Sequence, residues 1–123
     1  MAKKLRAYTD EENQIVRMEV VGRLEEQDVL ELNPEIERAV DALKDPFHVS
    51  LLIDGRYLEK SSTRARRAIL PNVARDNLIK VAIWGVTNPI VRTIGRFICI
   101  ASGRNTIRFF STENDGLDWL LRG

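Results

Sequence analysis

The chain has 123 residues, of which 44% are hydrophobic and 30% charged, with a formal net charge of +1. This size and composition predict a single domain over residues 1–123 with its own hydrophobic core, and no stretch is long and apolar enough to predict a transmembrane helix. One cysteine excludes an internal disulfide, and the first residues lack the apolar run of a signal peptide, so we expect a cytoplasmic protein.

The first half of the chain is predicted to form strands around an acidic helix. Residues 1–12 are interpreted as a loose arm or an edge strand. Apolar and polar side chains alternate from Ile15 to Val21, which is typical of a half-exposed strand. Apolar residues then recur every three or four positions from Val29 to Leu43 through Pro34, which predicts one kinked helix. His48 to Ile53 is predicted to be a buried strand.

The second half alternates between helices and strands. Thr63 to Asp76 keeps one apolar face and predicts a helix interrupted by Pro71. Lys80 to Val86 predicts a buried strand, Pro89 to Gly103 an apolar helix, and Thr106 to Phe110 a further strand.

The chain closes with a predicted helix that Ser111 or Thr112 would cap, with Leu117, Leu120 and Leu121 on its apolar face. Two strands joined by a crossover helix within so few residues predict parallel pairing. The predicted fold class is therefore α/β.

Positive charge is concentrated in the middle of the sequence. Residues 56–108 contain 11 Lys/Arg and 2 Asp/Glu, whereas residues 1–55 contain 7 Lys/Arg and 13 Asp/Glu. Arginine predominates, and its planar guanidinium suits phosphate and carboxylate partners. The excess is consistent with a solvated face whose cations pair locally, or with an anionic partner such as a lipid surface. Nucleic acid is not expected, because no recognition motif accompanies the cations.

Residue types that carry chemistry are isolated in this sequence. His48 is the only histidine, so a metal site or a histidine-activated nucleophile lacks its other members. Cys99 is interpreted as a core thiol within an apolar run. Asp54 and Gly55 are interpreted as a turn at the end of a strand. We therefore expect a protein without enzymatic activity, metal or cofactor.

The order of the elements resembles the SpoIIAA-like proteins related to STAS domains. The segments that carry the resemblance are Ile15 to Gly22, Ser50 to Asp54, Lys80 to Gly85, Ile107 to Glu113 and Leu117 to Leu120. The resemblance implies a mixed, mainly parallel sheet covered by helices, and no catalytic activity.

One role in that family is a switch operated by phosphorylation. STAS domains that antagonise anti-sigma factors carry the phosphorylated serine in an Asp-Ser-Ser-Gly turn. Here the matching segment reads Lys60-Ser61-Ser62-Thr63, so Ser61 and Ser62 are the candidate phosphorylation sites although the flanking Asp and Gly are missing. The alternative interpretation is that Ser62 or Thr63 simply caps the following helix.

A second role follows from the similarity of the stand-alone members to CRAL-TRIO lipid-binding domains, which implies association with a membrane surface or with a small apolar ligand. The departure at Gly116, where the family usually has alanine, is predicted to cost about 1 kcal/mol of helix stability and to loosen the last helix.

We therefore predict a non-enzymatic domain that binds an anionic or amphipathic partner through a basic face on the second and third helices, at the inner membrane surface or in the cytoplasm. The alternatives are a phosphorylation-controlled module with a regulatory protein partner, and a homodimer in which the acidic helix of one copy meets the basic face of another. The predicted contact residues are Arg64, Arg66, Arg67, Arg92, Arg96 and Arg104.

Overall fold

Five strands form one mixed sheet in the computed structural model, which describes residues 5–73, 76–89, 92, 93, 96 and 107–122. The strands lie in the order β1-β2-β3-β4-β5; β1 is antiparallel to β2, and the other neighbours are parallel. This confirms the predicted α/β class and mainly parallel sheet. The strands are β1 (Leu5–Asp10), β2 (Ile15–Leu24), β3 (Val49–Ser61), β4 (Leu78–Trp84) and β5 (Ile107–Phe110).

Three helices are described: α1 (Glu26–Asp41), α2 (Thr63–Val73) and α3 (Glu113–Leu121). None of the helices in the described part of the chain is long and apolar enough to cross a membrane. The helix predicted from Pro89 to Gly103 lies mostly outside the described residues, as does Cys99.

Helix α1 is continuous through Pro34, as predicted. The carboxylate of Asp28 accepts a hydrogen bond from the backbone N–H of Glu25 at 2.8 Å, so the first turn is capped. The face at Val29, Leu32 and Ile36 is buried. Burial of this apolar face supports the helix although proline removes one intrahelical hydrogen bond.

Strand β3 begins one residue later and ends eight residues later than predicted, and these bounds correct two interpretations. Asp54 and Gly55 lie inside the strand and do not form a turn. A Cβ on Gly55 would lie 2.4 Å from Cγ2 of Val86, so this glycine allows close packing within the sheet. His48 is exposed and precedes the strand, where its Nδ1 lies 2.9 Å from Oδ2 of Asp45.

The two faces of the sheet carry separate cores. Helices α1 and α2 cover one face, where Val16, Val20 and Val81 are buried with the apolar side of α1. Helix α3 covers part of the opposite face, over a smaller cluster of buried residues. That cluster contains Ile15, Leu52, Ala82 and Leu120.

Gly116 is buried on the side of α3 that faces the sheet, which gives the glycine a packing role; the loosening of the last helix stays a prediction. A Cβ at this position would lie 3.1 Å from Cδ1 of Leu52 and 3.4 Å from Cβ of Ala82. The first turn of α3 is capped by Thr112, whose hydroxyl accepts from the backbone N–H of Asp115 at 3.2 Å. Glycine therefore lowers the helix propensity of this position but lets α3 dock against the smaller cluster of buried residues.

Candidate functional site

Arginines on the first three strands are paired with carboxylates. Arg6 pairs with Glu19, Arg17 with both Asp10 and Glu113, Arg23 with Glu25, and Arg56 with Asp54. These guanidinium groups have partners inside the protein. They therefore fit the interpretation of locally compensated surface charge.

The arginines of α2 have a different environment. Arg64 and Arg67 are exposed, and α2 contains no acidic residue. Within the described residues, neither of these two arginines forms an ion pair with a carboxylate. Arg66 is partly buried and donates from Nη2 to the hydroxyl of Thr63 at 3.2 Å.

The helix dipole adds to the positive potential of this segment. The amino end of a helix carries a partial positive charge, and acidic residues usually occupy its first turn. In α2 the first five residues contain three arginines instead. We call the surface formed by Arg64, Arg66 and Arg67 the α2 basic surface. An anion at this surface would relieve the repulsion between its charges.

Two of the three remaining predicted contact residues are described. The Arg92 guanidinium lies 5.4 Å from the ring centre of Phe109, and Arg96 is exposed. Phe109 lies two residues after Ile107 in β5, so the two side chains are on the same face of the sheet. Ile107 packs against the core beneath α1 and α2. Arg92 therefore lies on the same side of the sheet as α2. Arg104 lies outside the described residues.

Ser62 is the N-cap of α2. Its hydroxyl accepts a hydrogen bond from the backbone N–H of Ala65 at 3.0 Å, and its own N–H donates to the carbonyl of Leu24 at 3.0 Å. The capping interpretation is confirmed for this serine. Ser61 is the last residue of β3. Phosphorylation of either serine stays a prediction.

A polar cleft on the opposite face of the sheet was not anticipated from the sequence. It has a volume of about 110 Å³ and crosses β1, β2, β3 and β4 beside the amino end of α3. Its residues come from positions far apart in the chain, so sequence spacing gave no signal. The lining residues are Tyr8, Arg17, Met18, Glu19, Leu52, Asp54, Arg56, Trp84 and Glu113.

Arg17 is the centre of the ion pairs at one end of this cleft. Its Nε donates to Oδ2 of Asp10 at 2.8 Å, and its Nη1 donates to Oε1 of Glu113. Burial opposes ionisation of Asp10, but hydrogen bonds from Asn13 and Arg17 outweigh that effect and lower the pKa of Asp10 to about 2. The interaction joins the β1–β2 hairpin to α3.

Arg56 is held in place at the other end of the cleft. Its backbone N–H, Nε and Nη2 all donate to the carboxylate of Asp54 at 2.9–3.1 Å. Its guanidinium lies 4.5 Å from the ring centre of Trp84 and 5.1 Å from that of Tyr57. Gly85 has φ +81°, and a Cβ there would lie 2.4 Å from Cγ of Arg56. Glycine at this position therefore makes room for the stacked arginine.

Charges in the cleft are mutually compensated. Burial disfavours the charged form of Asp54, but hydrogen bonds from Arg56 prevail and lower the pKa of that carboxyl. Because the guanidinium and carboxylate groups bind each other, the cleft is poorly suited to capture a free anion. Within the described ranges, no group of His, Cys, Asp and Glu side chains is arranged to hold a metal ion.

The low pKa of Asp10 predicts a specific loss of stability in acid. A carboxyl whose pKa is lower in the folded than in the unfolded state stabilises the fold fully above pH about 4, and this contribution disappears as the pH falls through about 2. The difference in urea unfolding midpoint between the wild type and Asp10→Asn should therefore shrink as the pH is lowered from 5 to about 2. A difference that stays constant over this range would contradict the assignment.

Comparison with known proteins supports the fold alone. No protein-family model matches the sequence, and no curated protein matches it. The chain superimposes with a TM-score of 0.75 on the crystal structure of an uncharacterised DUF3478 family protein from Shewanella loihica PV-4, which has a SpoIIAA-like fold. The two chains are 22% identical, and the match covers 98% of this chain and 96% of the other. The fold is SpoIIAA-like. In this SpoIIAA-like domain, the α2 basic surface and the polar cleft lie on opposite faces of the sheet.

Proposed function

We propose that this SpoIIAA-like domain is a non-enzymatic binding domain whose α2 basic surface attaches it to an anionic lipid surface. One observation carries the proposal: Arg64 and Arg67 are exposed on a helix without acidic residues, and no described carboxylate pairs with either. The arginines of the first three strands, in contrast, pair with neighbouring carboxylates. Arg64 and Arg67, which are exposed and form no ion pair with a described carboxylate, favour an external anion.

The described polar cleft is not suited to a small apolar ligand. Five of its nine lining residues are charged, and its volume is about 110 Å³. Pockets for drug-sized ligands are larger, at roughly 300 Å³ or more, and are lined mainly by apolar side chains. The described cleft therefore gives little support to a carrier of apolar molecules, whereas exposed arginines are well suited to lipid phosphates.

The expected strength of this attraction is modest. Each cation held near an anionic membrane contributes about 1 kcal/mol, so the two exposed arginines Arg64 and Arg67 give a preference for anionic over neutral vesicles of roughly 30-fold. Salt reduces the attraction because charges at a surface are screened over about 8–10 Å near physiological ionic strength. The binding should therefore be reversible and sensitive to salt.

Vesicle sedimentation tests the proposal. At low salt we expect the protein to sediment with vesicles of phosphatidylserine and phosphatidylcholine and not with phosphatidylcholine alone. The double variant Arg64→Glu/Arg67→Glu should reduce this binding by at least about tenfold, because it reverses two charges at the contact. The matched control Lys44→Glu/Arg122→Glu makes the same change in net charge at exposed positions outside α2, and it should bind much more strongly than the α2 variant.

Equal binding of the wild type to both kinds of vesicle at low salt would refute the lipid proposal. Equal loss in the two double variants would show that net charge matters and that the α2 basic surface does not. Circular dichroism spectra that match the wild type are required before either variant is compared.

A further inference from the structure

Two of the described helices, α1 and α2, carry stripes of opposite charge on the helical face of the domain. On α1 the exposed residues include four acids and one cation, and Leu30 is 47% exposed among them. On α2 the exposed residues include Arg64 and Arg67, and no acid. We call the α1 set the acidic stripe; its charged residues are Glu26, Glu31, Glu37, Arg38 and Asp41.

The topology determines how the two stripes are oriented. Helix α1 connects β2 to β3 and α2 connects β3 to β4, and these three strands are parallel. In such units each connecting helix runs antiparallel to the strands, so α1 and α2 run parallel to each other. Both pack on the same face of the sheet and contact the same core. The acidic stripe and the α2 basic surface therefore lie side by side and point outward.

A twofold axis in the plane of this face can run across the helices or along the groove between them. The two cases bring different charges together. An axis running across the helices would place α1 of one copy on α1 of the other and bring acids together. An axis running along the groove between the helices places α1 on α2 of the partner and, at the same time, α2 on α1. Only the second arrangement pairs opposite charges at both contacts.

We propose that the domain binds a second copy of itself through this helical face, with the acidic stripe of each copy against the α2 basic surface of the other. The contact is isologous, so each protomer supplies both halves of the complementary pair. Leu30 provides an apolar contact within the charged surface. This inference uses the α2 basic surface of the proposed function, and it adds that self-association and vesicle binding compete for the same arginines.

The size of the surface sets the expected stability of the dimer. At 1.5 Å per residue, the 16 residues of α1 are about 24 Å long and the 11 residues of α2 about 17 Å. Two neighbouring helices of this length cover less than the roughly 800 Å² that a standard interface buries on each partner. We therefore expect a weak dimer that dissociates as salt is added.

A charge-swap experiment with light scattering or analytical ultracentrifugation tests this inference. Arg64→Glu/Arg67→Glu makes both stripes acidic, whereas Glu31→Arg/Asp41→Arg removes the acidic character of α1. Each variant alone should show a dimer dissociation constant raised by at least about tenfold, because like charges now face each other. An equimolar mixture should recover association to within about threefold of the wild type, because each acidic stripe then meets a basic one.

Recovery of association in the mixture shows that the separate variants had lost the contact and had not misfolded. Vesicle binding by the variants separates the dimer from the lipid proposal. If either double variant fails to fold by circular dichroism, the single variants Arg64→Glu and Glu31→Arg provide the same test. Glu31→Arg/Asp41→Arg keeps the α2 arginines, so it should lose self-association and retain vesicle binding. A wild type that stays monomeric up to about 1 mM at low salt, or a mixture that does not associate, would overturn the inference. If the wild type does not bind vesicles but the mixed variants associate, the proposed function is refuted and the dimer inference is not.

Discussion

Replacing Leu52 by alanine should lower the free energy of unfolding by about 3 kcal/mol. Leu52 is 2% exposed in β3 and belongs to the small cluster that α3 covers. Its Cδ1 is the nearest heavy atom to the position where Gly116 would carry a Cβ. The substitution removes buried methyl groups and leaves a cavity beneath α3. Urea unfolding followed by circular dichroism measures the effect.

The matched control for this prediction is Leu121→Ala. Leu121 lies in α3 and is 50% exposed, so its truncation should cost less than about 1 kcal/mol. Equal destabilisation by the two substitutions would show that the small cluster does not behave as a core. Both substitutions change leucine to alanine, and the difference in propensity between a strand and a helix, at most about 1 kcal/mol, is smaller than the expected difference of about 2 kcal/mol.

Replacing Arg17 by methionine should lower the free energy of unfolding by about 2 kcal/mol at neutral pH. The side chains of Arg17 and Asp10 are 21% and 13% exposed. Glu113 forms an ion pair with the same guanidinium. The variant leaves the Asp10 carboxylate with little solvent and without its cation. Methionine keeps much of the apolar stem, so most of the measured loss reports the ion pairs.

Arg6→Met is the control for the ion pairs of Arg17. Arg6 pairs with Glu19 at 3.2 Å, but the two side chains are 57% and 40% exposed, so this substitution should cost less than about 1 kcal/mol. Chemical denaturation at pH 7 gives both values. If Arg17→Met is no more destabilising than Arg6→Met, burial does not strengthen the Arg17 pairs.

The sequence predicted the class of fold and most of its elements for identifiable reasons. The spacing of apolar residues from Val29 to Leu43 was strong enough to predict one helix across Pro34, and the structure has that helix. Alternating polarity from Ile15 onward predicted β2. These signals are local, because a residue's neighbours three or two positions away already define the buried face.

Features that depend on contacts between distant segments were not predictable in this way. Gly55 was interpreted as part of a turn because glycine is common there, but its packing against Val86 is visible only in the folded sheet. Gly116 has the same explanation through Leu52. Of the predicted contact residues, Arg64, Arg66 and Arg67 lie on one helix, as their spacing required, whereas the cleft joins residues from Tyr8 to Glu113.

The position of α3 has a consequence for synthesis of the protein on the ribosome. The Arg17–Glu113 contact spans 96 positions, so the small cluster on its face of the sheet cannot be covered until residues 113–121 have been translated. Until then a nascent chain with a formed sheet would present Ile15, Leu52 and Ala82 to solvent. Transiently exposed apolar surface of this kind promotes aggregation and attracts chaperones. Docking of α3 on the small cluster removes this exposure.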